Sequence, residues 1–264
     1  MLEARALTLS YDGRPVIEGL DLSLTSDKVT AIIGPNGCGK STLLKALARV
    51  LPTQGGTVTL DGEAVSAIAP RALARRLAIL PQSLHAPEGI RVADLVRRGR
   101  LPWRGLLSPW REEDRAACAQ AMEAVGMTGL ADRDLGELSG GQRQRAWLAL
   151  VLAQQTPWLL LDEPTTYLDL THQMEVLGLL RRLNRRSGTA VVSVLHDLNL
   201  AARYSDHLVL LANGGVIAAG APGEVLTPDN LSSAFGLTAK VMPDPVTGTP
   251  MVVPLDMPDR EVPA

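Results

Sequence analysis

Aromatic residues fill only 3% of the 264 positions, cysteine occurs twice, and no basic excess is present, the formal charge being −2. Each shortage excludes something. The longest apolar stretches, Ala146 to Ala153 and Trp158 to Leu161, are interrupted by Gln154, Gln155 and Pro157, far short of the roughly 20 residues that a membrane-spanning helix needs. The opening residues, MLEARALTLSYDG, lack the apolar core of a secretory signal, so the chain is expected to stay in the cytosol. Cys38 and Cys118 have no metal-type spacing to another Cys or His, and neither a zinc site nor a disulfide is expected. Proteins that bind nucleic acid generally carry a basic excess to neutralise phosphates, and no nucleic-acid partner is expected here. With 46% hydrophobic and 20% charged residues, the composition is that of an ordinary folded domain large enough for a substantial core.

What the chain does have is glycine in a telling place. Gly34 to Thr42, GPNGCGKST, lies between the apolar run Val29 to Ile33 and an amphipathic run containing Leu43, Leu44, Leu47 and Leu51. That is the order strand, phosphate-binding loop, helix. Gly34, Gly37 and Gly39 let the backbone fold around an anion with its N–H groups pointing inward, and the helix behind adds the positive end of its dipole. Pro35, Asn36 and Cys38 complete the loop. Lys40 would reach the terminal phosphates of a nucleoside triphosphate, and Ser41, followed by Thr42, would supply a hydroxyl to the accompanying Mg2+.

Around this loop the pattern alternates between strand and helix. Residues 2 to 10 and Val16 to Leu24 alternate on either side of Tyr11-Asp12-Gly13, predicting an antiparallel pair; Tyr11 is placed to stack on a purine base. Asp61-Gly62 marks a further hairpin. Pro70 to Arg75 predicts a short helix, and Leu77 to Leu80 a strand ending near Gln82. Residues 84–155 read as a mainly helical insertion, rich in arginine at its start. Strands resume at Trp158 to Asp162 and Ala190 to Leu195, with a helix over Leu170 to Arg186 between them. Asn213-Gly214-Gly215 marks another hairpin, and Val241 to Val253 a last one before a proline-rich tail. Strand ends in open α/β sheets are where active groups gather, which directs attention to Gln82, to Asp162 and Glu163, and to His196.

Asp162 and Glu163 close the run WLLLDEP. Alternation along a strand would send the two carboxylates to opposite faces, so different tasks are expected of them: Asp162 holding Mg2+, Glu163 orienting or deprotonating an attacking water. Leu138 to Gln142, LSGGQ, admits two compatible readings. Ser139 followed by Gln142 is a capping box, and Ser139 with the N–H groups of Gly140 and Gly141 is a second phosphate-binding helix end. His196 could contact a terminal phosphate, and Asp197 is a candidate helix cap.

GPNGCGKST, Gln82, LSGGQ, WLLLDEP and His196, in that order, resemble the nucleotide-binding subunits of ABC transporters over residues 2 to 235. The resemblance implies an α/β fold: a P-loop NTPase core with an antiparallel β subdomain and an inserted helical subdomain over about 84–155. Residues 1–240 would form this ATPase domain, and 241–264 a C-terminal hairpin and loose tail. It further implies a head-to-tail dimer of two copies, in which Ser139, Gly140, Gly141 and Gln142 serve the partner's ATP. Glu163 would be the catalytic base, with Lys40, Gln82 and His196 assisting, Tyr11 the adenine platform, and Ser41, Asp162 and Gln82 the Mg2+ ligands. Asp169, in Thr166-Tyr167-Leu168-Asp169, would signal across the dimer, although Tyr167 stands where a small residue is usual.

Val92 to Trp103 is similar to the segment that meets membrane permease subunits in importers of iron-siderophore complexes, haem or vitamin B12, and Pro102-Trp103 departs from the proline-histidine pair common there. DPVTGTPMVVP near the end is also typical of that class. The resemblance thus implies a peripheral subunit on the cytoplasmic face of the inner membrane, coupled to polytopic permeases and indirectly to a substrate-binding protein. Arg97 to Arg104 would form part of the docking surface. An alternative is a soluble ABC-type ATPase without transport, for example in iron-sulfur cluster assembly. Cys38 is expected to be a handle for thiol reagents that bound nucleotide would shield.

Overall fold

The computed structural model describes residues 1–11, 13–105 and 108–255, with Tyr11 described by its backbone alone. In chain order its elements are β1 (Leu2–Tyr11), β2 (Arg14–Leu24), β3 (Val29–Ile33), α1 (Lys40–Leu47), β4 (Gly55–Leu60), β5 (Glu63–Ala64), α2 (Pro70–Arg76) and β6 (Leu77–Leu80). There follow α3 (Val92–Arg97), α4 (Glu112–Ala124), α5 (Gly140–Ala153), β7 (Trp158–Asp162), α6 (Leu170–Ser187), β8 (Ala190–Val194), α7 (Leu198–Tyr204), β9 (His207–Ala212) and β10 (Gly215–Gly220). The chain continues through α8 (Pro222–Val225), α9 (Pro228–Phe235), β11 (Ala239–Pro243) and β12 (Pro250–Pro254). Among the described residues no helix is long and apolar enough to cross a membrane.

Six strands form one sheet in the order β10-β9-β3-β8-β7-β6, parallel except for the β9–β10 hairpin. A parallel sheet is covered on both faces and its strands read as unbroken apolar runs. Here β3, β7 and β8 are buried at every position, and alternate side chains enter two different cores. Leu159, Leu161, Ala31 and Ile33 face the core shared with α5, α6 and the helical segment. Leu160, Trp158, Ile32, Val192 and Val194 face the core closed by α1 and the second sheet. That second sheet, order β2-β1-β4-β5, is antiparallel, and its β4–β5 turn is made by Asp61 and Gly62 with positive φ of 53° and 82°.

The helices α3, α4 and α5 fall within the span read as an insertion. The expected hairpin near the C-terminus runs from Ala239 to Pro254, two residues earlier at its start than the alternation suggested. The tail beyond Leu255 lies outside the described residues. Sequence reasoning passed over α9, though its signals are present: Thr227 accepts a hydrogen bond from Asn230 N as N-cap, Pro228 occupies the first helical position, and Gly236 ends the helix with φ 62°.

Candidate active site

The phosphate loop is where the sheet delivers its chain to the surface. β3 ends at Ile33, and α1 begins at Lys40 behind Gly39, whose φ is 101°. Gly34 leaves no choice of side chain: a Cβ there would lie 2.0 Å from the backbone oxygen of Leu211. The Lys40 ammonium is folded beneath the loop, donating to Gly34 O at 2.9 Å and Pro35 O at 2.7 Å, with 5% of the residue exposed. A cleft of about 520 Å³ opens above it, lined by Asn36, Gly37, Gly39, Lys40, Ser41 and Thr42 together with Gln82, Glu163 and His196.

Three strand ends meet in that cleft because β6, β7 and β8 are adjacent in the sheet. Gln82 follows β6, Glu163 follows β7 and His196 follows β8. Glu163 Oε1 accepts from Gln82 Nε2 at 2.9 Å and lies 2.8 Å from His196 Nε2, while its Oε2 accepts from Thr166 Oγ1 at 3.1 Å. Burial would raise the Glu163 carboxyl, but the hydrogen bond and charge of His196, with Thr166 and Gln82, outweigh it and hold the group below its ordinary value. The carboxylate is thus ionised at neutral pH and fixed at the cleft mouth. Thr166 was not singled out from the sequence, and neither was Gln144, whose side chain donates to Glu163 O at 3.4 Å.

Asp162 stands apart, but not through strand alternation as expected. β7 ends at Asp162, and Glu163 takes a left-handed backbone, φ 54°, which is uncommon for a non-glycine residue. This turn, rather than pleating, separates the two carboxylates. Asp162 is fully buried; Oδ1 accepts from Ser41 Oγ at 2.7 Å, and Oδ2 has no hydrogen-bond partner. Burial raises its carboxyl, partly offset by Ser41 and Lys45. An orphaned buried carboxylate oxygen beside the Ser41 hydroxyl suits a hard, oxygen-seeking divalent cation. Among the described residues no three His, Cys, Asp or Glu side chains converge as a separate metal centre.

The structure does not bring every candidate into this cleft. Ser139, Gly140, Gly141, Gln142 and Asp169 do not line it. Ser139 caps α5: its Oγ accepts from Gln142 N at 3.2 Å, and Gln142 Oε1 accepts from Ser139 N at 3.1 Å. Asp169 caps α6 by accepting from His172 N at 2.9 Å, and its Oδ1 lies 2.8 Å from His172 Nδ1. The side chain of Tyr11 lies outside the described residues. Val16, unremarked in the sequence, lines the cleft.

Two expectations are revised. Cys38 is buried and its thiol is raised by that burial, which the Lys40 charge offsets only in part; at neutral pH it is a poor target for thiol reagents. Of the Arg97 to Arg104 cluster, Arg97 and Arg98 are exposed, but Arg100 is buried. It donates from Nε to Asp114 Oδ1 at 2.9 Å and from NH1 to Ala153 O and Gln155 Oε1 at 3.0 and 3.1 Å. Trp103 donates from Nε1 to Gln154 O at 2.6 Å and lies beneath the guanidinium groups of Arg75 and Arg100. Arg100 and Trp103 thus tie the segment to the end of α5, while Leu101 and Trp103 remain 60% and 40% exposed.

Comparison with known proteins agrees with this geometry. Residues 17–166 match the family model for the ABC transporter. The chain is 49% identical over 254 residues, 96% of its length and 94% of the relative's, to the ferric enterobactin transport ATP-binding protein of Escherichia coli K12. It is 47% identical over 251 residues, 95% and 89% of the two chains, to a hemin import ATP-binding protein of Streptomyces coelicolor. Among solved structures, a chain of a metal-chelate type ABC transporter in an inward-facing conformation superposes with a TM-score of 0.82 at 28% identity, covering 97% of both chains. An ATP-binding cassette solved as a dimer in a post-hydrolysis state with ADP and Pi superposes with a TM-score of 0.75 at 25% identity, over 84% of this chain and 99% of that one. On the family match and the identity over nearly its whole length, this chain belongs to the ABC transporter family.

Proposed function

We propose that this chain is the ATP-hydrolysing subunit of an importer for an iron chelate, with a ferric siderophore as the cargo. The observation that carries the hydrolytic part is the Glu163 carboxylate, ionised and held by Gln82 and His196 at the mouth of the phosphate-loop cleft. ATP binds with its phosphates on the N–H groups of Gly34 to Thr42, and Lys40 leaves its loop carbonyls to pair with the terminal phosphates. Tyr11 stacks on the adenine. Ser41, Asp162 and Gln82 would hold Mg2+, which would supply neutralisation of charge on the phosphates. Glu163 orients water in line with the terminal phosphorus and takes its proton. His196 holds Glu163 and faces the terminal phosphate.

One chain supplies only part of this site. Ser139 to Gln142 present a capped helix N-terminus on another surface, which fits a head-to-tail dimer in which this end closes over the partner's ATP, with Asp169 relaying the state between copies. Hydrolysis then opens the dimer and moves polytopic permease subunits, which receive cargo from a substrate-binding protein. The permease contact falls on the exposed part of the helical segment, around Arg97, Arg98 and a cleft of about 400 Å³ lined by Ala93, Trp110 and Met122. The subunit sits peripherally on the cytoplasmic face of the membrane. Names of the relatives favour this reading over a soluble, non-transport ATPase.

Glu163→Gln tests the hydrolytic assignment. It should bind ATP with Mg2+ as the parent does and lose about 10²- to 10⁴-fold in phosphate release; turnover within a few-fold of the parent would remove Glu163 as the base. Reconstitution with the permease encoded beside it, scored for uptake of ferric siderophore against haem and cobalamin, tests the cargo.

A further inference from the structure

The segment DPVTGTPMVVP, Asp244 to Pro254, takes no part in the hydrolytic site, yet it is bonded to the helix that follows His196. Asp244 organises the turn between β11 and β12. Its N–H donates to Thr249 O at 2.7 Å, its Oδ1 accepts from Val246 N at 2.8 Å and Thr247 N at 3.0 Å, and Gly248 closes the turn at φ 71°. A hairpin of two strands is marginal alone, and this one rests on α7. Asn199 Nδ2 donates to Val252 O at 3.2 Å while its Oδ1 accepts from Val252 N at 2.7 Å, so one side-chain amide stands in for a neighbouring strand along the edge of β12. One turn further along α7, Arg203 pairs with Asp244 Oδ2. Residues four apart share a helix face, and both contacts therefore bear on the same side of α7.

That helix is a weak anchor by itself. It has 7 residues, too few for a helix to be stable in isolation. Its buried positions are Leu200, Ala201 and Ala202, and alanine side chains bury little apolar area. The hairpin supplies what that face does not: Ala239 and Val252 are buried in the core shared with the main sheet, so Asn199 and Arg203 hold α7 to a part of the body that is itself fixed. At the other end of α7, Asp197 Oδ1 accepts from Leu200 N at 2.8 Å, which ties the turn carrying His196 to the helix. Movement of α7 therefore moves His196. The His196 side chain is 48% exposed and its Nε2 stands 2.8 Å from Glu163 Oε1; since such bonds are lost beyond roughly 3.5 Å, a displacement of under about 1 Å breaks the contact.

We propose that the β11–β12 hairpin sets the position of His196 against Glu163, with Asn199 and Arg203 as the positioning residues through which it acts. The proposal rests on the reading above, in which His196 holds Glu163 and faces the terminal phosphate.

Phosphate release by the full chain with saturating ATP and Mg2+, at a protein concentration where the rate per subunit no longer rises, tests this. Asn199→Ala should lower kcat about tenfold, within the ~10²-fold that a displacement of about 1 Å can cost, and leave KM for ATP within twofold because the phosphate loop is untouched. Arg203→Ala should lower kcat in the same direction, and Arg203→Lys, which keeps a cation opposite Asp244, should recover most of it. In a His196→Ala background, Asn199→Ala should change the residual rate less than twofold, whereas a simple loss of folded protein carries over in full. In spectra of the chain labelled with 15N-histidine, the His196 imidazole signal should move in Asn199→Ala while those of His85, His172 and His207 stay. Asn199→Ala turning over within twofold of the parent, an equal loss in the His196→Ala background, or a slowed variant with an unmoved His196 signal overturns the proposal. Should Asn199→Ala not fold, the Arg203 variants decide, and Arg203→Ala at the parental kcat overturns it. If His196→Ala itself hydrolyses at the parental rate, the reading of His196 falls and this proposal with it; a slow His196→Ala beside a parental Asn199→Ala removes the proposal alone.

Discussion

Replacing Arg100 by Met should unfold the helical segment's attachment, not merely alter its surface. Arg100 and Asp114 side chains are 7% and 5% exposed and share a 2.9 Å hydrogen bond. Burial would raise the Asp114 carboxyl, yet Arg100, the Arg111 backbone and Arg104 hold it below its ordinary value. Arg100→Met keeps the apolar stem and strands a buried carboxylate, a change that costs ~3–5 kcal/mol in general. The Arg104 Nε remains 4.0 Å from Asp114 Oδ2, so the lower end, about 3 kcal/mol, is expected. At a slope of ~2–3 kcal/mol per molar urea, the midpoint falls by roughly 1–1.5 M. Urea unfolding followed by circular dichroism and by tryptophan fluorescence reads this, Trp103 lying directly against the lost guanidinium. Adding Asp114→Leu should recover most of the loss, because a buried ion pair replaced as a pair is close to neutral. A single variant within about 1 kcal/mol of the parent, or one stable but uncoupled from the permease, would refute the internal role and return Arg100 to the docking surface.

Gly34→Ala should cost about 1–3 kcal/mol or more, since its Cβ must displace the Leu211 carbonyl; thermal unfolding and ATP binding should fall together, and unchanged ATP affinity would show that the loop can move away from β9. Asp244 is lowered from 3.8 to about 2 by Arg203 and by the N–H groups of Val246 and Thr247. It therefore contributes stability above pH 3.8 that is lost as pH falls toward 2, and Asp244→Asn should flatten that part of the acid profile of the β11–β12 hairpin, read by limited proteolysis. An equally steep profile in the variant would place the acid sensitivity elsewhere.

The parts of the site legible in the sequence are those built by short-range rules. The phosphate loop is strand, glycine turn and helix in unbroken order; the capping box of Ser139 and Gln142 and the Asp197 cap are spelled within four residues. The convergence of Gln82, Glu163 and His196 is not short-range. It depends on β6, β7 and β8 lying side by side, which periodicity cannot state and which only the family resemblance implied. Arg100 was misread because a run of arginines is uninformative about which one turns inward; the partner that decides it, Asp114, sits in α4. The left-handed Glu163 had no signal at all, since glutamate does not announce positive φ.

That left-handed residue lets two adjacent acids sit in different surroundings at one edge of the sheet. A continued strand would direct Glu163 to the face opposite Asp162, across the sheet from the loop. The turn instead keeps both at the carboxyl edge, one buried against Ser41 and one at the mouth between Gln82 and His196. Environment then divides them: burial raises the Asp162 carboxyl, which Ser41 offsets only in part, while His196, Thr166 and Gln82 hold Glu163 below its ordinary value. The strain is shared by the next turn, where Tyr167 is also left-handed. Five residues from Glu163 to Tyr167 thus carry two backbone outliers, Glu163 lining the chain's own cleft and Tyr167 exposed to solvent.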